Sequence, residues 1–350
     1  MTILTTPWQL LAVAAAAALL AAAAIAVMRR TGWGAAALDQ PNARSMHRVP
    51  VPRTGGIALV GALLLAALSA DARLPDELAL LWLPALVLAL LGAIDDRHGL
   101  PVRVRLPVQL AAALPVAWSV AGAVASSTAG GSASALAMAA SIVLLALAIG
   151  WSTNLYNFMD GIDGLAGTMA VIGFGALALA CPPGTTLAVL AAATAGAAIG
   201  FLLFNRPPAR IFLGDVGSIP LGFLAAGIGL VGWRDGYWPL WFAPLVFLPF
   251  VCDASVTLAL RLARGERVWT AHRQHAYQKL ALLGLGHGGT TAVYGALMLA
   301  CAAIALTSRD WPPARASIAI AAIIVLHLFG YGWVARRWRH RQTLSSGIVR

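Results

Sequence analysis

Eleven apolar stretches, separated by short polar segments, run through the chain and constrain its fold more than any other feature. A helix needs about 20 apolar residues to cross the hydrocarbon core of a bilayer, and most of the stretches approach that length. We therefore predict an all-α, polytopic integral membrane protein with ten or eleven transmembrane helices. The predicted spans are 8–28, 55–70, 78–94, 106–124, 134–150, 165–180, 186–204, 219–232, 237–260, 291–306 and 315–334.

The composition agrees with a membrane environment. Hydrophobic residues make up 60% of the chain and charged residues only 11%, whereas soluble domains carry about 25% charged residues. The net charge of +11 could indicate a nucleic-acid partner, but the basic residues lie between apolar runs rather than on one amphipathic face, so we expect none. The three cysteines, Cys181, Cys252 and Cys301, lack metal or redox spacing and are expected to be buried apolar residues.

The spans predict one membrane domain over residues 1–350, because no soluble segment or internal repeat interrupts them. The stretch 219–232 is the least secure, and several others have only about 16 residues, so tilted, re-entrant or merged segments remain an alternative. Arg29 and Arg30 follow the first apolar stretch and no basic residue precedes it. This order favours a retained first helix over a cleaved signal peptide.

The basic residues predict an orientation. With the N-terminus outside, the loops that fall inside hold 20 of the 24 lysine and arginine residues. Basic loops favour the cytoplasmic side, so we predict a periplasmic N-terminus and a cytoplasmic C-terminus. The same alternation places every polar cluster on the cytoplasmic side, in segments at about 39–56, 95–105, 151–164, 205–218 and 261–290.

A topology reporter tests this orientation directly. Fused after Arg350, it should report the cytoplasm, and inserted near Gly130 it should report the periplasm, because of the basic bias of the loops. The measurement is the activity of a compartment-specific enzyme fusion. The reverse pattern would contradict the prediction that the polar clusters lie on the cytoplasmic side.

The first cytoplasmic segment, 39–56, places His47 and Arg53 among prolines that hold the chain extended. One interpretation is a basic flank that touches anionic lipid. The other is a phosphate clamp, in which Gly55 and Gly56 begin the next helix and let backbone N–H groups approach an anion.

Adjacent carboxylates, Asp95 and Asp96, end the third predicted span. They oppose the helix dipole and repel each other near the low dielectric of the membrane. A positive group should compensate them, either one of the arginines at 97, 103 and 105 or a divalent cation. A pair of solvated loop acids neutralised by arginines is the alternative.

Polar residues recur every third position in the segment 151–164, at Asn154, Asn157, Asp160 and Asp163. In an unbroken helix such a row would spiral around the axis. We expect Gly161 to break the helix and let the row converge on one pocket. N-capping of the next helix accounts for one of the acids but not for the whole row.

Asp215 lies between Gly214 and Gly217 just before a predicted helix. Small neighbours leave its carboxylate open to a phosphate-bound metal ion, for which oxygen ligands favour Mg²⁺ or Mn²⁺. The last segment, 261–290, is rich in arginine and histidine without zinc spacing, which suits a diphosphate. Asp253 lies about two turns inside the preceding span, where a carboxylate is costly and is a functional candidate.

These motifs resemble the polyprenyl-phosphate N-acetylhexosamine-1-phosphate transferases, a family that also includes the phospho-N-acetylmuramoyl-pentapeptide translocase. Five motifs match in order between about residues 39 and 287. They are Asp39-x-Pro41 with Pro52-Arg53-x-Gly55-Gly56, Asp95-Asp96, Asn154-x-x-Asn157-x-x-Asp160-Gly-x-Asp163-Gly164, Phe212-Leu-Gly214-Asp215-x-Gly217-Ser218, and Arg273-x-His275.

The resemblance implies roles for the matching residues. Asp95 and Asp96 would engage the lipid phosphate and metal as catalytic residues, together with Arg273 and His275 on the phosphates. It further implies that Asp215 binds Mg²⁺. With the candidates predicted from the residues themselves, the expected substrate-binding set is Asn154, Asn157, Asp160, Asp163, Phe212, His47, Arg53 and Asp253. Within this set, Asp160 and Asp163 match the uridine region, and Phe212 would stack on uracil.

The reaction implied by the resemblance moves an N-acetylhexosamine-1-phosphate from a UDP-sugar to undecaprenyl phosphate, with release of UMP, in a bacterial inner membrane. The last motif, His272-Arg-Gln-His275-Ala-Tyr277-Gln, lacks the consecutive histidines of the peptidoglycan translocase and is more similar to enzymes that initiate O-antigen or exopolysaccharide synthesis. We therefore expect UDP-N-acetylhexosamine, undecaprenyl phosphate and membrane lipid as partners. A homodimer is an alternative to a monomer that the sequence does not decide. The peptidoglycan reaction and a secondary transporter are the alternatives.

Overall fold

The computed structural model describes residues 7–33, 38–40, 46, 49–70, 76–128, 134–268, 270 and 272–347. The prediction of an all-α polytopic membrane protein is confirmed. In the described part of the chain, eight helices are long and apolar enough to cross a membrane, and two more are apolar but have only 16 residues each. The helices are α1 Pro7–Thr31, α2 Gly55–Ala70, α3 Asp76–His98, α4 Val102–Thr128, α5 Ala135–Phe158, α6 Leu165–Ala180, α7 Thr186–Asn205, α8 Asp215–Arg234, α9 Phe242–Val246, α10 Leu248–Ala263, α11 Ala276–Leu280, α12 Gly286–Ser308 and α13 Pro313–Gly347.

Two short strands form a hairpin between α1 and α2. Strand β1, Leu38–Asp39, pairs antiparallel with β2, Val51–Pro52. Of the first cytoplasmic segment, residues 41–45 and 47–48 lie outside the described part of the chain. The prediction for His47 therefore falls on a residue that the structure does not describe.

The stretch 219–232, the least secure of the predicted spans, is helical. It forms most of α8, and nearly all its side chains are buried against α3 and α5. The stretch 237–260, in contrast, is two helices, α9 and α10, that meet at Phe247. Pro249 lies in the first turn of α10 and has no N–H to donate to the carbonyl oxygen of Leu245, so the hydrogen bonds of α9 cannot continue into α10.

The last polar segment is shorter than predicted. Helix begins at Ala276 and continues through a π-helical turn, Ala281–Leu285, into α12. Gly284 and Gly286 have positive φ angles of 122° and 62° at this kink. The loop therefore ends at His275, and Tyr277 and His287 lie on helices rather than in the loop.

Small residues let helices pack closely in the centre of the protein. Gly196 and Gly200 of α7 face α1, where a Cβ atom on either glycine would collide with the backbone of Ala14 or Ala18. Close approach of this kind is a main source of helix association inside a bilayer, since lipid removes the hydrophobic driving force. α7 and α8 are consequently the most buried of the long helices.

The start of α2 is held tightly against the start of α8. A Cβ atom at Gly56 would lie 2.6 Å from the carbonyl oxygen of Leu213, and the backbone of Gly217 is closer still. Gly61, on the same helix, has no atom within 4 Å of the corresponding position. The two glycines therefore form a matched pair for mutation.

Gly56→Ala should lower the melting temperature of the purified protein, because its methyl group cannot be accommodated without moving α2 away from α8. Gly61→Ala should leave the melting temperature unchanged or raise it, since alanine is favoured over glycine in a helix by about 1 kcal/mol. Thermal unfolding of both variants in detergent is the measurement. Equal melting temperatures would show that the two helices are not in close contact.

Candidate active site

Asp95 lies in the last turn of α3, where backbone hydrogen bonds terminate the helix. The N–H of Gly99 donates to the carbonyl oxygen of Asp95 at 2.8 Å, and Gly99 has a φ of 64°, the usual conformation of a helix-ending glycine. The N–H of Leu100 donates to the carboxylate of Asp95 at 2.5 Å. This short turn sends α4 back alongside α3.

Arg105 is the positive group that compensates the acids. Its Nη1 atom lies 2.5 Å from Oδ2 of Asp95 and 3.4 Å from Oδ2 of Asp215. One guanidinium thus bridges carboxylates from α3 and α8. The sequence predicts Arg105 only as one of several possible counter-charges for the acidic pair, and the structure shows that it is Arg105 that pairs with Asp95.

Asp96 holds the start of α8. Its two carboxylate oxygens accept hydrogen bonds from the N–H groups of Asp215 at 3.1 Å and Val216 at 3.2 Å. These N–H groups have no partner inside their own helix, so Asp96 acts as an N-cap supplied by a different helix. The expectation that Asp96 acts catalytically stays a prediction, and its capping role is a finding.

Asn157 and Asp160 lie beside these acids. Nδ2 of Asn157 donates to Oδ1 of Asp215 at 2.8 Å and to Oγ of Ser218 at 3.0 Å. The structure gives Asp160, in the turn after α5, no hydrogen bond or ion pair to its carboxylate from the described residues. Burial raises the pKa of Asp160 well above its usual value.

Other carboxylates raise the pKa of Asp160 further. They are, in decreasing order of effect, Asp215, Asp96 and Asp163, while Arg53 counteracts them in part. The turn between α5 and α6 therefore adds a further acid to a site that already contains several. We name Asp95, Asp96, Asp160 and Asp215 the acidic centre.

The expectation that the row from Asn154 to Asp163 converges on one pocket is wrong. Nδ2 of Asn154 donates to Oε1 of Gln109 at 2.7 Å and to the backbone of its own helix, so it faces α4 rather than the acidic centre. α5 ends at Phe158, before Gly161, and the glycine with positive φ is Gly164. Within the row, only Asn157 and Asp160 lie at the acidic centre, whereas Asp163 contacts Ala209 and His287.

Asp163 joins three segments. Its carboxylate accepts from the N–H of Ala209 at 3.0 Å and lies 3.1 Å from Nδ1 of His287 on α12. Its carbonyl oxygen accepts from the Thr291 hydroxyl. Asp163 is only 9% exposed, and these contacts all join it to other parts of the protein, so its role in the structure is to hold these segments together.

The two glycines at the start of α2 do not leave their N–H groups open to an anion. The N–H of Gly55 donates to the carbonyl oxygen of Phe212, and that of Gly56 to the carbonyl oxygen of Leu213, both at 2.9 Å. This corrects the backbone part of the phosphate-clamp interpretation. Arg53 lies 2.9 Å from Asp39 across the hairpin, and the half-buried ring of Phe212 lies on the same segment.

Asp253 caps a helix from inside the protein. Its carboxylate accepts from the N–H groups of Ala276 and Tyr277 at 2.8 and 2.9 Å, and from the hydroxyl of Tyr294 at 2.5 Å. Its side chain is 2% exposed. We therefore correct the expectation of a substrate contact: Asp253 is a positioning residue for α11, because its oxygen atoms are enclosed by protein.

His275 is buried as well. Its ring packs on Phe158, His272 and Tyr277, and its Nδ1 lies 3.4 Å from Asp253. A buried imidazole cannot touch a substrate in this arrangement, so its expected catalytic contact is corrected to a positioning one. Burial lowers the pKa of the neighbouring His272 to about 4, which keeps that ring neutral at physiological pH.

Arg273 is exposed beside this buried group, and the described residues provide its guanidinium with no ion pair. It is therefore available to an anion. The loop that carries it is ordered around Arg261, whose buried guanidinium lies 2.8 Å from Glu266 and also donates to the carbonyl oxygens of Arg267 and Thr270. Sequence patterns could not separate Arg261 from Arg273, since both are arginines in one basic loop.

Comparison with known proteins supports a family assignment for this arrangement. The pattern of glycosyl transferase family 4 matches residues 78–232, which contain all four acids of the acidic centre. Together with the relatives described next, this match supports the polyprenyl-phosphate N-acetylhexosamine-1-phosphate transferase family. The resemblance found from the motifs is thereby confirmed.

Individual relatives are distant but cover much of the chain. A probable undecaprenyl-phosphate N-acetylglucosaminyl 1-phosphate transferase of Bacillus subtilis is 25% identical over 75% of this chain and 74% of its own length. The undecaprenyl-phosphate alpha-N-acetylglucosaminyl 1-phosphate transferase of Escherichia coli K12 is 26% identical over 97% and 94%. A phospho-N-acetylmuramoyl-pentapeptide-transferase of Picosynechococcus is 30% identical over 58% and 60%.

The raised pKa of Asp160 predicts a pH dependence of stability. Above the ordinary aspartate pKa, the unfolded chain releases this proton while the folded protein retains it, so the wild type should lose stability as the pH rises toward the raised pKa. Asp160→Asn lacks this titration. Its melting temperature should exceed that of the wild type by a margin that grows between pH 5 and pH 8, in chelator.

Asp310→Asn provides the control, because Asp310 is 84% exposed and far from the acidic centre. Its melting temperature should follow that of the wild type at every pH. A constant difference between Asp160→Asn and the wild type across the pH range would contradict the burial of an ionisable Asp160.

Proposed function

We propose that this protein transfers an N-acetylhexosamine-1-phosphate from a UDP-sugar to undecaprenyl phosphate at the cytoplasmic face of a bacterial inner membrane, with Mg²⁺ as cofactor. An oxygen of the lipid phosphate attacks the β-phosphorus of the UDP-sugar. The bond between that phosphorus and the oxygen bridging to the α-phosphorus breaks, and UMP leaves. The names of the Bacillus and Escherichia relatives support the acceptor and the type of group transferred.

The observation that supports this proposal best is the acidic centre with its single bridging arginine. A diphosphate would bring further negative charge to a site where Asp160 already has a raised pKa because of burial and neighbouring carboxylates. One Arg105 guanidinium neutralises part of that charge. A divalent cation would compensate the remainder.

The residues fit Mg²⁺ as enzymes that act on phosphates usually bind it, through only one or two carboxylates. In the described part of the chain, no group of three or more histidine, cysteine or acidic side chains could hold a metal ion by itself. Mg²⁺ commonly takes one or two carboxylates and completes its octahedron with water and substrate phosphate. The acids that would serve are Asp215, half-buried at the start of α8, and Asp160, whose carboxylate has no partner among the described residues.

Mg²⁺, when bound, would supply charge stabilisation to the transferring phosphoryl group. Arg105 bridges Asp95 and Asp215 and fixes their relative position. Asp96 accepts hydrogen bonds from the first N–H groups of α8. Arg273, exposed at the end of its loop, would bind a substrate phosphate. We retain Phe212 as the proposed stacking partner of uracil.

The sugar and the pathway are finer parts of the proposal. The last motif lacks consecutive histidines, which favours a precursor of O-antigen or another surface polysaccharide over peptidoglycan, and Tyr277 stands where the enterobacterial type has a further histidine. Tyr277 is fully buried and donates its hydroxyl to the carbonyl oxygen of Phe158 at 2.9 Å. Residues 261–350 carry 10 of the 20 basic residues predicted to be cytoplasmic, which supports the proposed orientation.

A reconstituted assay tests the function. The purified protein receives undecaprenyl phosphate and one labelled donor: UDP-N-acetylglucosamine, UDP-N-acetylfucosamine, UDP-N-acetylquinovosamine or UDP-N-acetylmuramoyl-pentapeptide. Labelled lipid and UMP should form with one of the first three. EDTA should abolish the product, Mg²⁺ should restore it, and Asp215→Asn should lower the rate by orders of magnitude because charge stabilisation at the phosphates is lost.

Asp235→Asn is the matched control, since Asp235 follows the opposite end of the same helix and pairs with Arg234. It should keep wild-type activity. Full activity of Asp215→Asn, or of the wild type in chelator, would refute the metal assignment. Product from the muramoyl-pentapeptide donor alone would replace the proposed donor with the peptidoglycan precursor.

A further inference from the structure

A cavity with two arginines in its lining lies apart from the acidic centre, where the end of α1 meets the hairpin. Its volume is about 280 Å³. Residues from three segments line it, among them Arg29, Leu38, Pro52, Thr54, Arg210 and Ile211. No member of the acidic centre lines it, so its charge is opposite in sign to that of the proposed reaction site.

The two arginines of this cavity have no carboxylate partner among the described residues. Arg29 lies over the ring of Phe204 at 5.7 Å from its centroid, and Arg210 is exposed. The acid nearest in sequence to the cavity wall, Asp39, is engaged by Arg53 at 2.9 Å. Two arginines therefore line a cavity to which the described residues contribute no carboxylate.

Thr54 provides an independent sign of a missing ligand. It is 5% exposed, and its hydroxyl Oγ1 is buried without a hydrogen-bond partner in the described structure. An unmade hydrogen bond on a buried polar atom is costly, so such atoms usually mark a site that another molecule completes. The guanidinium groups of Arg29 and Arg210 and the hydroxyl of Thr54 receive no acceptor from the described residues, and they are donors of the kind that a phosphate takes.

The surroundings of the cavity are those of a lipid rather than a free anion. Met28 also lines the cavity, and Val27 of α1 and Trp33 just after this helix are exposed by 58% and 56%. Basic pockets between transmembrane helices at the membrane surface bind the phosphate groups of lipids. A volume of 280 Å³ suits a headgroup rather than a whole lipid, whose chains would extend along α1.

We propose that this cavity binds the phosphate of an anionic membrane phospholipid, through Arg29, Arg210 and Thr54. The bound headgroup would link α1 to the two segments that frame the proposed reaction site. Thr54 follows Arg53, and Ile211 precedes Phe212, whose N–H donates to the carbonyl oxygen of Pro52 at 2.8 Å. The phospholipid would therefore stabilise the protein without entering the reaction.

Native mass spectrometry of the delipidated full chain tests this proposal. Phosphatidylglycerol is titrated against phosphatidylcholine with the same acyl chains, undecaprenyl phosphate and inorganic phosphate. The wild type should retain one phosphatidylglycerol, and Arg29→Gln/Arg210→Gln should weaken its binding roughly tenfold or more, because charge-assisted hydrogen bonds are lost. Phosphatidylglycerol should also raise the melting temperature of the wild type but not of this variant.

Two variants make the result specific. Thr54→Val keeps the shape of the side chain and should weaken phosphatidylglycerol binding while the melting temperature of the lipid-free protein stays unchanged. Arg336→Gln/Arg339→Gln removes two exposed arginines from the end of α13 and should bind phosphatidylglycerol like the wild type.

Three results would overturn the proposal. Equal loss of phosphatidylglycerol in both double variants would mean a general effect of charge. Preferential retention of undecaprenyl phosphate at Arg29 and Arg210 would assign the cavity to the substrate lipid. Binding of inorganic phosphate as tight as that of phosphatidylglycerol would mean an anion site without lipid.

Discussion

The joined ends of α3 and α8 are the constraint on which the rest of the structure depends. Asp96, near the end of α3, accepts the first N–H groups of α8, and a Cβ atom at Gly92 would collide with the backbone of Asp215. The two helices can meet only because Gly92 lacks a side chain and Asp96 satisfies the exposed donors. This meeting brings Asp95 and Asp215, 120 residues apart in sequence, onto one arginine.

Buried acids in this protein work largely by capping helices other than their own. Asp96 caps α8, Asp253 caps α11, and Asp163 fixes the segment before α8 together with His287. Buried carboxylates are costly unless they are hydrogen-bonded, and helix N-termini offer the unpaired N–H groups they need. The same interaction explains why so many polar residues near the membrane are structural, while the described residues give the side chains of Asp160 and Arg273 no ion pair.

The sequence was sufficient for the fold class and for the family. Long apolar stretches report directly on the bilayer, so ten of the eleven predicted spans correspond to single helices in the described structure. The failure at 237–260 has a local cause: Pro249 divides a stretch whose hydropathy is continuous. Hydropathy averages over about 19 residues and does not respond to one backbone break.

The candidate site was less accessible to sequence reasoning. Asn154 and Asn157 are three residues apart in one motif, yet one faces Gln109 on α4 and the other faces Asp215 on α8. Asp253 and Asp215 both look like isolated acids near a membrane, and only their contacts show that Asp253 is enclosed. Which acid meets which partner depends on long-range helix packing, which no spacing within one segment encodes.

Electron paramagnetic resonance of Mn²⁺ in the presence of a UDP-sugar tests most directly that the acidic centre is the metal and phosphate site. The account predicts one bound Mn²⁺ per wild-type chain, loss of that ion in Asp215→Asn, and retention in Asp235→Asn, which alters an acid beyond the opposite end of the same helix. Undiminished Mn²⁺ binding by a folded Asp215→Asn protein would contradict it.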